Sequence, residues 1–248
     1  MDKDLEYGQN DFNLPHDVVN LPSNGKFYKT KKKSLKVGFL TASDENILFG
    51  TRSEDLISTL LRSKIFEADI NPNDLIWGDI EAVLIFLRNS SFGSEYTVRV
   101  KDPETDKEFT YTILLDNLKK LDVEVEPDEN GLFTITLPKT KNRLKIKPLT
   151  YGERREIEEK TSTYPQGMIA PVVTWRLEKQ IVELNGKTDK GEIVQMIEKL
   201  PIMDSKFIRN FLRKNEPKID LNFIIKTPSG KNMNVLVDFG PEFFRPFF

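Results

Sequence analysis

Asp79-Ile80-Glu81-Ala82-Val83-Leu84-Ile85-Phe86-Leu87-Arg88 is the stretch on which the fold turns. With Ile76 just upstream, Ile80, Val83, Leu84 and Leu87 recur every three or four residues, which predicts a helix over Leu75–Arg88 with one buried face. The frame returns at an offset of 125 as Asp204…Phe211-Leu212-Arg213, four identities in ten positions. The same offset carries Tyr96–Lys101 onto Leu221–Lys226 and Pro103 onto Pro228. Each helix is thus followed by two alternating segments around a turn, the pattern of a β-hairpin: Ser94–Val100 with Glu108–Leu114, then a second pair turning at Thr227–Lys231.

Upstream, Leu35-Lys36-Val37-Gly38-Phe39-Leu40-Thr41 parallels Leu144-Lys145-Ile146-Lys147-Pro148-Leu149-Thr150 at an offset of 109. Both run into charged helix starts. In the first half, Thr41-Ala42-Ser43-Asp44-Glu45 opens one helix, and a second follows Thr51-Arg52-Ser53 with Leu56, Ile57, Leu60, Leu61 and Ile65 at helical spacing. The growth of the offset by 16 puts extra residues between about 160 and 190. Helices followed by hairpins segregate as α+β rather than α/β. The expectation is an α+β fold made of an internally duplicated unit of strand, helices and β-hairpin, with a helical insertion in the second half. Its boundaries are a polar, flexible N-terminal arm over 1–20, a first repeat over 21–121, an acidic connector over 122–131 and a second repeat over 132–248.

Composition bounds the chemistry. The 248 residues can bury roughly 70–75% of the unfolded surface, enough for a substantial core. There is no Cys, so disulfides, thiolate metal sites and cysteine nucleophiles are excluded. The single His, His16, excludes multi-histidine metal sites and speaks against a histidine-based triad. Lys and Arg number 37 against 39 Asp and Glu, a net charge of -2 that gives no general attraction to nucleic acid or anionic membrane. The longest strongly apolar run, Ala82–Leu87, is far below the roughly 20 residues of a spanning helix. The first residues are acidic with no apolar export core, which makes the cytoplasm the default expectation.

No residue pattern commits to catalysis. Gly25-Lys26 lacks the upstream glycine and the following Ser or Thr of a phosphate loop. Lys26, Lys29, Lys31, Lys32, Lys33 and Lys36, with Phe27 and Tyr28 interleaved, could contact phosphates and stack bases, but the plainer reading is a solvated loop balanced by nearby acids. Asp122, Glu124, Glu126, Asp128 and Glu129 fit no calcium-loop spacing and read as an exposed turn closing at Asn130-Gly131. Asp79 and Asp204 sit just inside their helix starts, where a carboxylate complements free N–H groups, so both are assigned to helix capping. Arg88 and Arg213 are assigned to late-helix charge or ion pairing, with interface contact as the alternative. No cofactor is called for.

Two stretches are apolar in otherwise polar surroundings. The insertion carries Met168, Ile169, Val172, Val173, Trp175, Leu177, Ile181 and Val182. The C-terminal ten residues hold five Phe beside two Pro. Phe243 and Phe244 are expected to close the core. Phe247 and Phe248, with Val172 and Trp175, are the candidates for partner contact.

Three segments together resemble a family of baseplate proteins from T-even-type tailed phages: Leu21-Pro22-Ser23-Asn24-Gly25-Lys26-Phe27-Tyr28 with the helix start at Thr41–Leu48; Asn71–Asp79 running into Leu87–Tyr96; and Phe243-Phe244-Arg245-Pro246. They span residues 21 to 246. Some members of that family carry Cys pairs near the hairpin turns; Lys101–Lys107 and Lys226–Lys231 have none, so here the hairpins must rest on packing. The resemblance implies a part in building the central hub of the tail baseplate. The role it implies is that of a noncatalytic assembly factor or chaperone acting on other phage baseplate hub proteins in the host cytoplasm. It brings no catalytic residue with it. Homo-oligomerisation and presence in the mature virion are left open. The alternatives are a permanent structural component of the hub and a nucleic-acid-binding protein using Lys26–Lys36.

Overall fold

A computed structural model describes residues 14–50, 53–121 and 123–244. The chain opens with β1 (His16–Asn20), paired antiparallel with β2 (Ser34–Gly38) across the loop that holds Leu21–Tyr28. Two helices follow, α1 (Ala42–Gly50) and α2 (Ser53–Lys64), tied by a buried ion pair between Asp44 and Lys64. Asn71 accepts from the Asn73 N–H to start a 3-10 turn at Pro72–Asp74. The chain then enters α3 (Trp77–Phe92), whose Ile80, Val83, Leu84 and Leu87 are fully buried. Arg88 closes that helix, its guanidinium donating to the carbonyls of Gly93 (2.7 Å) and Glu95 (3.1 Å).

A hairpin of β3 (Glu95–Lys101) and β4 (Glu108–Leu114) is in register with Val98 opposite Tyr111. The second half begins with β5 (Phe133–Thr136) and β6 (Arg143–Ile146), then α4 (Tyr151–Ser162), which Thr150 and Glu153 start with a reciprocal capping box. It continues with α5 (Val172–Gln180), β7 (Ile181–Leu184), α6 (Lys190–Glu198) and α7 (Ile202–Asn215). The hairpin of β8 (Asn222–Lys226) and β9 (Asn232–Leu236) follows, and a 3-10 turn at Pro241–Phe244 ends the described chain. The fold is mixed α+β, with helices set against small antiparallel sheets, as expected.

Two differences from the sequence reading are physical. Residues 16–20, assigned to the arm, form β1; only Val19 of the five is buried, so backbone pairing to β2 holds the strand and no amphipathic alternation announces it. The insertion, expected to be helical, supplies α5 but also β7, the third strand of the β5-β6-β7 sheet. Ile181 and Leu184 are its buried ends, a four-residue pattern too short to separate from helix by period.

Two hydrophobic clusters organise the core. The first joins Leu35 and Val37 of β2, the inner faces of α1, α2 and α3, and both late hairpins through Ile113, Ile225 and Val235. Phe239, Phe243 and Phe244 close it with edge-on rings, Phe243 lying 4.9 Å from Phe239 and 5.0 Å from Phe244. The second cluster lies between the β5-β6-β7 sheet and α5, α6 and α7, around Phe133, Ile146, Leu177 and Ile208. Phe27 packs against both clusters. The two hairpin tips meet where Asp102 accepts from the N–H and hydroxyl of Ser229, each at 2.9 Å. Gly78 permits a further close join: a Cβ there would lie 2.0 Å from the Pro217 carbonyl oxygen.

Candidate functional site

Asp79 is a fully buried acid in the first half, met by three donors. Its carboxylate accepts from the Ser23 N–H (2.9 Å), the Ser23 hydroxyl and the Tyr28 hydroxyl. Tyr28 Oη in turn accepts from the Ile76 N–H at 3.1 Å. Burial pushes the Asp79 pKa up, against the pull of Ser23 and Tyr28, and burial also raises that of Tyr28. Asp204 holds the same third position in α7 and accepts from the N–H groups of Lys139 (2.8 Å) and Thr140 (2.9 Å). Burial raises the Asp204 pKa, but those N–H donors prevail and hold it below the usual carboxylate range. The bonds that both carboxylates make reach loops far away in sequence instead of the first turn of their own helices. Asp79 grips the loop between β1 and β2, and Asp204 grips the turn between β5 and β6.

Among the described residues, two of the six lysines of the basic run, Lys26 and Lys32, meet carboxylates. Lys26 pairs with Glu126, Lys31 donates to the Glu129 carbonyl, and Lys32 pairs with Glu67 and Asp69. Its aromatics are engaged as well: Tyr28 is buried on Asp79, and Phe27 packs at 5.8 Å against Phe133. A polar groove of about 370 Å³ separates this loop from the connector, lined by Ser23, Asn24, Phe27, Lys120 and Pro127. A second buried acid group lies behind Gly78. Glu81 accepts from the Ile219 N–H at 3.2 Å, and Glu216 pairs with Arg154 at 2.9 Å. Burial pushes Glu81 up to about 7, helped by the neighbouring Glu216.

The apolar insertion divides. Leu177 and Ile181 enter the second cluster, whereas Met168 and Ile169 are 68% and 95% exposed. Val172 and Trp175 are half-buried on α5, and the Trp175 ring meets Tyr164 edge-on at 5.6 Å. Phe243 and Phe244 are buried, as expected; Phe247 and Phe248 lie outside the described residues. Sequence reasoning missed the outer face of α7, where Ile202, Met203 and Phe207 are exposed. The signal was there: Lys206, Arg209, Asn210, Arg213 and Lys214 mark one side of that helix at helical spacing, and Ile202 and Met203 fall on it. Among the described residues no three His, Asp or Glu side chains are grouped to hold a metal ion, and no helix is long and apolar enough to cross a membrane.

These features define a mixed α+β protein of small antiparallel sheets that presents bulky apolar side chains to solvent. It belongs to the T4 bacteriophage base plate protein family, whose model matches residues 15–245, nearly the whole chain. Membership ties the protein to the phage baseplate and implies other baseplate proteins as its partners. No curated protein and no solved structure matches the chain.

Proposed function

We propose that the protein is a noncatalytic assembly factor of the baseplate hub. It holds hub subunits by transient protein contacts in the host cytoplasm while the tail is built. The observation that carries this reading is the exposed apolar stretch Met168-Ile169 beside the half-buried Val172 and Trp175. Surface of that kind favours contact with another protein. The absence of Cys and the single His support a noncatalytic role. Engagement of Phe27 and Tyr28 in packing, and of Lys26 and Lys32 in ion pairs, counts against nucleic acid on the Lys26–Lys36 run. The division into two related units, 21–121 and 132–248, is part of the proposal. It is supported by the matching grips of Asp79 and Asp204 on the turn of the preceding hairpin.

The test is an affinity pull-down of tagged protein from phage-infected cells, parent beside a Val172→Ser/Trp175→Ser variant, with mass spectrometry of what is recovered. The parent should bring down tail hub proteins, and the variant should lose them while melting within a few degrees of the parent. Equal recovery by the variant, or a variant that melts far lower, refutes the site. Nucleic-acid machinery in place of hub proteins refutes the function. Stoichiometric amounts of the protein in purified virions would replace the transient role by that of a permanent hub component.

A further inference from the structure

Helix α7 turns Ser205, Ile208, Leu212 and Asn215 inward, and its outward arc has a different chemistry. Ile202 is 83% exposed, Met203 55% and Phe207 37%. Met203 and Phe207 lie one turn apart, with Ile202 beside them, so the three form an apolar ridge at the start of the helix. The rest of the arc is cationic: Lys206, Arg209, Arg213 and Lys214 are all exposed. The one acid of the helix, Asp204, is buried and committed to Lys139 and Thr140.

Among the described residues these cations are poorly neutralised. Lys214 reaches Glu124 at 3.4 Å with both side chains exposed, a contact worth little in water. Arg213 reaches Asn210 at 3.2 Å, and Arg209 reaches the carbonyl of Ser205 at 3.4 Å, so neither meets a carboxylate there. A solvated helix face ordinarily mixes both signs of charge and keeps bulky apolar groups inward. This face does neither, and its two properties select one occupant. Carboxylates on that occupant answer Lys206, Arg209 and Arg213; apolar side chains answer Ile202, Met203 and Phe207. A polyphosphate chain would gain nothing from the ridge.

We propose that the outer face of α7 docks an acidic amphipathic helix of another protein chain. The site rests on the reading that the protein acts through protein contacts, and it lies on a different element from Val172 and Trp175. Fourteen residues make a helix face about 21 Å long, which matches a partner segment of about four turns. A face of that size falls in the small, transient class of interfaces.

The experiment is a fluorescence-anisotropy titration of the full chain against a designed helical peptide of about 16 residues, with Leu at helical spacing and Glu on both flanks. Three probes run beside it: the same peptide with Lys for Glu, a single-stranded oligonucleotide, and a synthetic peptide of residues 1–13, which holds Asp2, Asp4 and Glu6. The acidic peptide should bind and the lysine peptide should not. Binding should weaken at least tenfold both in Met203→Ser/Phe207→Ser and in Lys206→Glu/Arg209→Glu, with melting temperatures close to the parent. Acidic-peptide binding unchanged in either variant overturns the proposal. So does tighter binding of the oligonucleotide, or tighter binding of the 1–13 peptide, which would make the occupant this chain's own segment. If sedimentation shows self-association that both variants abolish, a second copy is the occupant and the proposal is likewise overturned. A failed titration beside a successful pull-down removes this surface and leaves the baseplate role standing.

Discussion

Replacing Asp79 by Ala should be among the most damaging single changes in the chain, and its size follows from what the carboxylate holds. Three donors converge on it: the Ser23 N–H, the Ser23 hydroxyl and the Tyr28 hydroxyl. All are buried. A buried donor left without an acceptor costs about 1–3 kcal/mol. Two of the three are hydroxyls that can turn toward other acceptors, whereas the Ser23 N–H is fixed by the backbone. Removing the carboxylate also relieves its own burial, which already raises its pKa. The net loss expected is about 2–4 kcal/mol, which at this chain length lowers Tm by roughly 4–16 °C.

Asp204→Ala is the internal control. Its donors are the N–H groups of Lys139 and Thr140, both on an exposed turn that water reaches once the carboxylate is gone. The expected loss is about 1–2 kcal/mol. Urea denaturation followed by far-UV circular dichroism and by the fluorescence of Trp77, two residues from Asp79, measures both. Tyr28→Phe should cost about 1–2 kcal/mol in the parent and less in the Asp79→Ala background, where the shared bond is already gone and only the Ile76 N–H loses its acceptor. An Asp79→Ala protein within 1 kcal/mol of the parent, or an Asp204→Ala protein equally destabilised, refutes the reasoning.

Two further outcomes are expected. Glu81 has a folded pKa of about 7 against an ordinary 4.5, so between those values the folded protein keeps a proton that the unfolded chain has released; stability from this group is present below pH 4.5, is lost as pH rises toward 7, and amounts to about 3 kcal/mol. Urea denaturation at pH 5 and pH 8 should show that slope in the parent and lose it in Glu81→Gln; the same slope in the variant would assign it elsewhere. Gly78→Ala should cost about 3 kcal/mol, because the added Cβ would meet the Pro217 carbonyl oxygen at 2.0 Å and the Lys218 Cα at 2.8 Å. Calorimetry of Gly78→Ala showing the parent's Tm would mean that α3 and the 217–218 segment part easily.

What could be read in the sequence, and what could not, divides by the range of the interaction responsible. α2, α3 and the β3–β4 hairpin follow from periodicity and turn chemistry, both local, and they appear near their expected bounds. Burial of Phe243 and Phe244 was also legible, since so many rings beside two prolines need cover. β1 and β7 were not, because each is defined by the strand it pairs with more than by its own pattern. Asp79 and Asp204 show the same limit at one residue. Their place near a helix start was visible and suggested capping, but the partners lie 56 positions away at Ser23 and 65 and 64 away at Lys139 and Thr140. A carboxylate at a helix start has two ways to satisfy N–H groups, those of its own first turn or those of a loop brought alongside by packing. Only the fold decides between them, and in both halves it brings alongside the turn of the preceding hairpin. The outer face of α7, by contrast, is written in local period. Lys206, Arg209, Asn210, Arg213 and Lys214 recur along one side of the helix and Ile208 and Leu212 along the other, so helical period marks the solvent side, and Ile202 and Met203 stand on it as apolar residues among charges before the second cluster takes Ile208 and Leu212.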